Sequence, residues 1–475
     1  MLKKVEQIEI NNENIFLNDK LKRRETVELF TNLIRTIEQP FTICLDAPWG
    51  GGKTTFIEIW SKYLEEQNFV TLHFNAWEND FTNEPFISLV SEIGEQLSIK
   101  NPETITTMQK YKDNVFEMGG KLIKKTIPLA VKLATLNTLE IDDLKEIVEK
   151  DDTKAISDFL SKTAEEQISN YGENKDIRNS FKETLSAFAQ KIIEDEGKNT
   201  PIIVFIDELD RCNPAYAIEL LENIKHVFNL DNFIFILSID KAQLKHSIRS
   251  FYGEGLNAEG YLKKFIDIDL RLPFLVDKNY LYNLINDKFN MNQLSIFQHQ
   301  NVYEIEHAVN VFKDLVEIYH LSLRDIEQMM SEVNMITRMM FQNDMQMRLS
   351  LLIFLLVIKN HNPSVFQKLK KKTTWGKDVL FQLEINEQFK KLFANDHYIL
   401  YSILLSSNLD RNEFNQLKNK NLDQDELADS IFDLTYITDE DIRNRIYEIL
   451  NIEPSICYKK VESYIEKLNM VGQYV

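Results

Sequence analysis

The chain has 475 residues and a formal net charge of −19, with 74 acidic residues against 55 basic ones. This length predicts about two or three domains with a full-sized core. The acidic balance argues against a surface that coats nucleic acid, because phosphate contacts dominate that affinity; the basic runs 121–125 and 368–372 leave a local contact open. Three scattered cysteines and a polar start without a signal sequence favour a cytoplasmic protein with reduced thiols.

An apolar run, 41–45, leads into a glycine-rich loop, 47–54, that precedes a helical segment. Consecutive glycines let successive N–H groups point at an anion. Lys53 is expected to reach the β- and γ-phosphates and the Thr54 hydroxyl to ligate Mg²⁺, at the positive end of the next helix. Ala47 replaces the usual first glycine, which is harmless only if its φ is negative. The predicted nucleotide-binding residues here are Pro48, Trp49, Gly50, Gly51, Gly52, Lys53, Thr54 and Thr55.

A second apolar run, 202–206, leads directly into Asp207 and Glu208. Such a run is typical of a strand buried in a parallel sheet, and carboxylates at its C-terminal end fall where open α/β sheets bind ligands. Asp207 is expected to hold the Mg²⁺ shell, and Glu208 to orient and deprotonate an attacking water. We therefore interpret 202–208 as a Walker B strand. The alternative, a solvated acidic turn, is disfavoured because the phosphate loop precedes it.

Two more strand-like runs, 69–74 and 233–237, complete the pattern. An extra strand between the P-loop and Walker B strands, with a glutamate beside Asp207, indicates the P-loop branch that activates water with its own carboxylate. A polar group after the last run, Ser238 or Asp240, is expected close to the γ-phosphate. The predicted fold is α/β: a P-loop NTPase of the additional-strand, catalytic-glutamate type with a parallel sheet, a large helical insertion and a helical C-terminal region.

Helical spacing of apolar residues sets the predicted domain boundaries. The predicted parts are a first P-loop NTPase segment at 1–101, a helical insertion at 102–197, a second NTPase segment at 198–275 and a helical region at 276–475. The apolar run 349–358 is too short for a bilayer, which needs about 20 apolar residues. We therefore predict a buried core helix there and no membrane segment. Residues 373–475 carry no motif.

Four motifs, in order, resemble those of the KAP family of P-loop NTPases, in its soluble prokaryotic form. The family's Trp-Gly-x-Gly-Lys-[Ser/Thr] loop matches 49–54, Phe-Asn-Ala-Trp matches 74–77, Asp-[Asp/Glu]-Leu-Asp-Arg-Cys-x-Pro matches 207–214, and a Tyr-Leu-x-Lys strand entry ending in Leu-Pro matches 261–273. The resemblance covers about residues 20–330 and implies binding and hydrolysis of ATP or GTP with Mg²⁺. ATP is preferred because the guanine-reading Asn-Lys-x-Asp motif is missing from the sequence.

The resemblance also implies a biological setting. Soluble prokaryotic members often occur in multi-gene systems that defend against bacteriophage or plasmids. We therefore expect protein partners encoded nearby and a role in such defence. Two functions remain open: an ATPase that remodels or moves a partner complex, and a slowly hydrolysing switch or scaffold that recruits an effector. A nucleotide or polynucleotide kinase is less favoured, because no arginine-rich lid follows the Walker B strand.

Two arginines are candidates for contact with the γ-phosphate. Arg211 either acts as a finger on a neighbouring subunit's nucleotide, which leaves a homo-oligomer open, or pairs with Asp210 to fix the loop. Arg324 resembles the arginine that this class places after the sheet to sense the γ-phosphate; the alternative is a surface arginine paired with a nearby carboxylate. Trp77 is predicted to be a core aromatic, and Glu78 is a further candidate for contact with the P-loop lysine or the catalytic water.

Overall fold

The computed structural model describes the following residues, apart from a few isolated positions: 14–100, 182–291, 302–340, 348–371 and 460–471. They divide into two compact units, one ending at Pro273 and one beginning at Phe274. The predicted insertion lies outside the described residues up to position 181, and so does most of the motif-free region 373–475.

Five parallel strands form the sheet of the first unit. They are β1 (Phe41–Asp46), β2 (Phe69–Asn75), β3 (Asn199–Asp207), β4 (Phe233–Ile239) and β5 (Ile268–Arg271), and their spatial order is β2-β3-β4-β1-β5. The strand that lies between β1 and β3 in the sheet is β4, whereas β2, which lies between them in the sequence, is outside β3. The predicted P-loop fold with a parallel sheet is confirmed.

Helices cover both faces of this sheet. They are α1 (Arg24–Ile34), α2 (Lys53–Glu66), α3 (Ala76–Asn79), α4 (Pro85–Lys100), α5 (Pro214–His226), α6 (Lys241–Tyr252) and α7 (Ala258–Leu262), with single 3₁₀ turns at Asp80–Thr82 and Leu209–Arg211. Successive β3 side chains point to opposite faces, as the period of a strand requires. Val204 and Ile206 pack in the cluster that contains the apolar residues of α5, while Phe205 packs with Phe30 and Trp60 of α1 and α2.

The second unit is helical. Its described elements are α8 (Lys278–Asn283), a π-helical turn (Leu284–Lys288), α9 (Val302–Tyr319), α10 (Leu323–Met340), α11 (Leu349–His361), α12 (Pro363–Lys371) and α13 (Lys460–Val471). Every residue of α11 from Leu349 to Ile358 is buried, which confirms the predicted core helix. The Glu304 carboxylate of α9 accepts the Leu349 N–H at 2.9 Å and the Arg348 Nη1 at 3.1 Å. Among the described residues, no helix combines the length and apolarity needed to cross a membrane.

Candidate nucleotide site

The candidate site lies at the carboxyl end of the sheet, where β1, β3 and β4 end side by side. In the register of these strands, Ser238 of β4 is opposite both Asp207 of β3 and Leu45 of β1. Ala47, the first residue after β1, donates its N–H to the Ile239 carbonyl oxygen at 3.2 Å. The phosphate loop and the Walker B carboxylates, which are far apart in the sequence, therefore meet at one edge.

The loop between β1 and α2 curls through two glycines with positive φ, Gly50 at 75° and Gly52 at 78°. Glycine adopts this region without the steric cost that a Cβ brings. Gly51 is confined as well, because an added Cβ would lie 3.0 Å from the Pro48 carbonyl oxygen. Ala47 is buried and its φ is not positive, so its methyl group is accommodated without strain. The backbone thus has the tight curvature of an anion cradle.

Lys53 is the first residue of α2 and its side chain is buried over this loop. Its Nζ donates to the carbonyl oxygens of Ala47 at 2.7 Å and Pro48 at 3.3 Å. Burial lowers the pKa of Lys53, while the carboxylates of Asp210 and Asp240 act in the opposite direction. An ammonium held among carbonyl oxygens can exchange them for phosphate oxygens, which carry more negative charge.

Thr54 joins the two halves of the site. Its hydroxyl donates to the Asp207 carboxylate at 2.8 Å, and the other oxygen of Asp207 accepts the Glu208 N–H at 3.0 Å. A hydroxyl and a carboxylate in contact fit Mg²⁺, which takes oxygen ligands, typically one or two carboxylates plus phosphate oxygens and water. Thr54 and Asp207 are therefore the residues that can hold the ion. Thr55, the next residue of α2, is half-buried, and Pro48 is exposed.

Glu208 has an unusual backbone and a tightly engaged side chain. Its φ is 61°, a left-handed conformation that non-glycine residues rarely adopt. Its carboxylate forms an ion pair with Arg211 at 2.6 Å. Burial raises the pKa of Glu208, whereas the Arg211 charge and a hydrogen bond with the Asn75 side chain lower it.

The predicted pairing of Arg211 with Asp210 is wrong. The 3₁₀ turn Leu209–Arg211 points the arginine back at Glu208, three residues earlier, while the Asp210 carboxylate accepts the indole N–H of Trp49. Burial raises the pKa of Asp210, and the bond from Trp49 lowers it. Asp210 therefore anchors the phosphate loop, and Arg211 engages the candidate base.

The prediction that Trp77 is a core aromatic is also wrong. Trp77 is 53% exposed and lies under the Arg211 guanidinium, which is 5.5 Å from the ring centroid. The reason is local: the Asn75 side chain caps the one-turn helix α3 at the end of β2, and this turn leaves Trp77 on the surface. Glu78 is exposed on the same turn, and the Lys53 ammonium donates to the loop carbonyl oxygens of Ala47 and Pro48.

The two polar candidates after β4 have different surroundings. Asp240 caps α6 by accepting the N–H groups of Ala242 and Gln243, and its other oxygen accepts the Trp49 N–H at 3.1 Å. Ser238 is fully buried, and its hydroxyl has no hydrogen-bond partner within the described part of the chain. Asp240 thus positions the loop, and Ser238 is the group with unused hydrogen-bonding capacity.

Arg324 lies in the second unit, exposed on the first turn of α10. Ser322 and Asp325 cap the helix reciprocally: the Ser322 hydroxyl oxygen accepts the Asp325 N–H at 3.2 Å, and the Asp325 carboxylate accepts the Ser322 N–H at 2.9 Å. The γ-phosphate-sensing role of Arg324 stays a prediction.

Sequence reasoning missed Arg23, whose guanidinium is bonded to the phosphate loop. Its side chain is 2% exposed, and it donates to the carbonyl oxygens of Gly52 and Gly51, each at 2.8 Å. In the sequence it is one half of an Arg-Arg pair, a pattern typical of a solvated surface. No local motif distinguishes it from Arg24, so the sequence held no signal for this contact.

Three comparisons relate the chain to known proteins. The model of the KAP family P-loop domain matches residues 23–340. An uncharacterized protein of Methanocaldococcus jannaschii, MJ0182, is 31% identical over 180 residues, which cover 35% of this chain and 88% of that protein. The solved structure of the Aeropyrum pernix ORC2 protein in ADPNP-ADP complexes aligns over 95% of this chain and 94% of that one, with 13% identity and a TM-score of 0.32. A TM-score of 0.32 does not establish a shared fold.

Proposed function

The chain belongs to the KAP family of P-loop NTPases, and from this premise we propose that it binds Mg-ATP at the β1–α2 loop and hydrolyses it. The observation that carries the proposal is the 2.8 Å contact between Thr54 and Asp207 beside a loop with two left-handed glycines. Membership of the family alone supports nucleotide binding. This contact supports a site in which the Mg²⁺ ligands and the phosphate cradle are already adjacent.

The proposed roles follow from the position of each side chain. Lys53 binds the β- and γ-phosphates, Thr54 and Asp207 hold Mg²⁺, and Glu208 orients and deprotonates the attacking water. When bound, Mg²⁺ neutralises charge on the phosphate oxygens. The Ser238 hydroxyl donates toward the γ-phosphate, where charge develops during the reaction. ATP rather than GTP is proposed from the absence of a guanine-reading motif in the sequence.

Titration calorimetry with Mg-ATP tests the binding step. Lys53→Ala removes the lysine of the cradle, so affinity is expected to fall at least about tenfold. Lys62→Ala is the matched control, because Lys62 lies further along the same helix α2. Unchanged affinity in a folded Lys53→Ala protein would contradict the proposed site.

Glu208→Gln tests the chemical step. The variant keeps the Mg²⁺ ligands and removes the base, so we expect ATP binding to persist and single-turnover hydrolysis to slow by about two to four orders of magnitude. Glu219→Gln on α5 is the control for loss of one carboxylate. Wild-type hydrolysis by Glu208→Gln would exclude Glu208 as the base.

A second candidate function is supported by the Glu208–Arg211 ion pair. A base bonded to a cation at 2.6 Å is less available to water. We propose as the alternative a slowly hydrolysing switch or scaffold, in which bound ATP favours recruitment of an effector. Low basal turnover that rises when a partner is added supports the switch, and high turnover of the isolated chain supports the ATPase.

The biological role is proposed from the family resemblance. ATP turnover would be coupled to assembly or remodelling of a partner complex encoded by neighbouring genes, in defence against bacteriophage or plasmids. Cells that carry the whole gene cluster with Lys53→Ala are then expected to lose protection in a plaque assay, while Lys62→Ala retains it. Equal protection by both variants would contradict a nucleotide-dependent role in defence.

A further inference from the structure

The Arg23 side chain lies on the side of the phosphate loop toward which the Gly51 and Gly52 carbonyl oxygens point. Arg23 precedes α1 and is held there by Asp19, whose carboxylate accepts the Arg23 N–H at 2.6 Å. The two terminal nitrogens of its guanidinium divide between two successive acceptors, Nη1 to Gly52 O and Nη2 to Gly51 O, both at 2.8 Å. The guanidinium carbon is also 5.8 Å from the centroid of the Phe56 ring, so the group is packed as well as bonded.

Peptide geometry gives these two bonds a consequence on the opposite side of the loop. In a planar trans peptide the C=O of one residue points away from the N–H of the next. Fixing the Gly51 oxygen therefore fixes the direction of the Gly52 N–H, and fixing the Gly52 oxygen does the same for the Lys53 N–H. Both N–H groups face away from Arg23, toward the side where a phosphate cradle needs its donors.

The guanidinium is suited to this task because of its shape. It is a planar group with donors in a fixed fork, so it meets two neighbouring oxygens at once, whereas an ammonium acts as a single point charge. The Gly52 oxygen also accepts the Phe56 N–H at 3.1 Å, the first hydrogen bond of α2. Arg23 thereby ties the start of the helix and the end of the loop to one rigid group.

We propose that Arg23 is a positioning residue for the nucleotide site: its fork presets the Gly52 and Lys53 N–H groups for a phosphate. The proposal rests on the proposed nucleotide binding, and it concerns the shape of the loop before the nucleotide arrives. Preorganisation of this kind raises affinity because the bound conformation does not have to be ordered on binding.

Three variants test the proposal. Arg23→Gln removes the charge and the fork, Arg23→Lys keeps the charge but places all its donors on a single nitrogen, and Arg24→Gln is the control. Arg24 is the next residue, but it is exposed and pairs with Glu28 one turn along α1. Each protein is first checked for cooperative unfolding by circular dichroism.

The first measurement uses nucleotide-free protein. Hydrogen exchange is followed in peptides that contain Gly51 and Phe56, whose N–H groups donate to Pro48 O and Gly52 O. We expect exchange at both sites to quicken in Arg23→Gln by about tenfold, less in Arg23→Lys, and not at all in Arg24→Gln. The second measurement is titration with Mg-ATP. We expect affinity to fall about tenfold in Arg23→Gln and about threefold in Arg23→Lys, and not to change measurably in Arg24→Gln.

A folded Arg23→Gln protein with wild-type exchange and wild-type affinity overturns the proposal. If Arg23→Gln does not fold, Arg23→Lys decides: unchanged exchange and affinity overturn the proposal, and intermediate losses support it. If the wild-type protein does not bind Mg-ATP, the proposed function fails, while the exchange comparison in nucleotide-free protein still decides whether Arg23 shapes the loop.

Discussion

At the scale of single residues, Glu208 is subject to opposing influences. Burial favours its protonated form, while Arg211 and the Asn75 side chain favour the carboxylate. The ion pair favours the charged form against this burial, and it engages one of the two carboxylate oxygens, Oε1. In the proposed mechanism, the same arginine therefore favours the carboxylate form of Glu208 and also restrains it as a base.

The first prediction concerns this restraint. Arg211→Ala removes the ion pair and so frees the Glu208 carboxylate to accept a proton from water. Because the pair is partly exposed and therefore of moderate strength, we expect basal ATP turnover to rise by only about fivefold. Arg211→Lys keeps an opposite charge and should stay near the wild-type rate. Steady-state turnover of the isolated chain is the measurement. Turnover that falls in Arg211→Ala, and returns when Lys53→Ala subunits are mixed in, would instead identify Arg211 as a finger acting between subunits.

The second prediction concerns the buried hydroxyl of Ser238. A buried hydroxyl without a partner costs free energy, so Ser238→Ala is expected to leave the free energy of unfolding unchanged or to raise it by about 1 kcal/mol. If the hydroxyl serves the γ-phosphate, the same change should lower kcat by about tenfold or more. Ser250→Ala, at an exposed position on α6, is the control. Reduced stability with unchanged kcat would mean that the hydroxyl has a structural partner and no catalytic role.

At the scale of elements, the start of α6 supports two structures at once. One oxygen of Asp240 caps the helix, and the other holds the backbone of Trp49 in the phosphate loop. The backbone N–H of Lys241, the first residue of α6, donates to Asp46 at the end of β1. The helix after β4 thus fixes the loop after β1, which explains why a strand between β1 and β3 matters to the site.

The third prediction follows from this double role. Asp240→Ala removes the cap and the loop anchor together, so the free energy of unfolding should fall by about 1–2 kcal/mol and Mg-ATP should bind more weakly. Asp231→Ala, at an exposed position just before β4, should change neither quantity. Chemical unfolding and calorimetry measure the two effects. Loss of stability with unchanged affinity would show that Asp240 acts only as a helix cap.

The sequence predicted those elements whose signal is local. The strand-like runs rich in apolar residues that became β1 to β4, and the glycines of the phosphate loop, are short patterns with few structural solutions. The partners of Arg23, Asp240 and Arg211 could not be predicted, because each contact depends on how separate elements or turns come together. Trp77 was misjudged for the same reason: an aromatic residue beside a strand packs inward only if the next turn does not carry it to the surface.

At the scale of the molecule, the two units have separate stabilising features. The helical unit contains α11, whose N-terminus is capped by the buried Glu304 of α9. The nucleotide unit carries the phosphate loop and its supporting residues. A multi-unit chain need not unfold in one step, so a perturbation of each unit can be observed by itself.

The fourth prediction uses that separation. Glu304→Ala removes the acceptor of Arg348 and Leu349 and should destabilise the helical unit by about 3–5 kcal/mol, whereas Glu306→Ala, exposed on the same helix, should not. Mg-ATP at about 100 times its Kd should stabilise the nucleotide unit by about 2.7 kcal/mol. Scanning calorimetry is expected to show each change in a different transition. A shift of the Glu304-sensitive transition by Mg-ATP would reveal coupling between the units and favour the switch.

The strand order also determines when the neighbours of β1 become available during synthesis of the chain. β1 is made early, but its neighbours on both sides, β4 and β5, come from residues after 232. At a synthesis rate of about 5–20 residues per second, roughly ten to forty seconds pass between the completion of β1 and the completion of β4. Throughout that interval the backbone N–H and C=O groups along both edges of β1 lack their partner strands, and Asp207 is absent for most of it. The proposed nucleotide site is therefore complete only once β4 has been made, and until then nucleotide cannot stabilise the phosphate loop through Asp207 and Asp240.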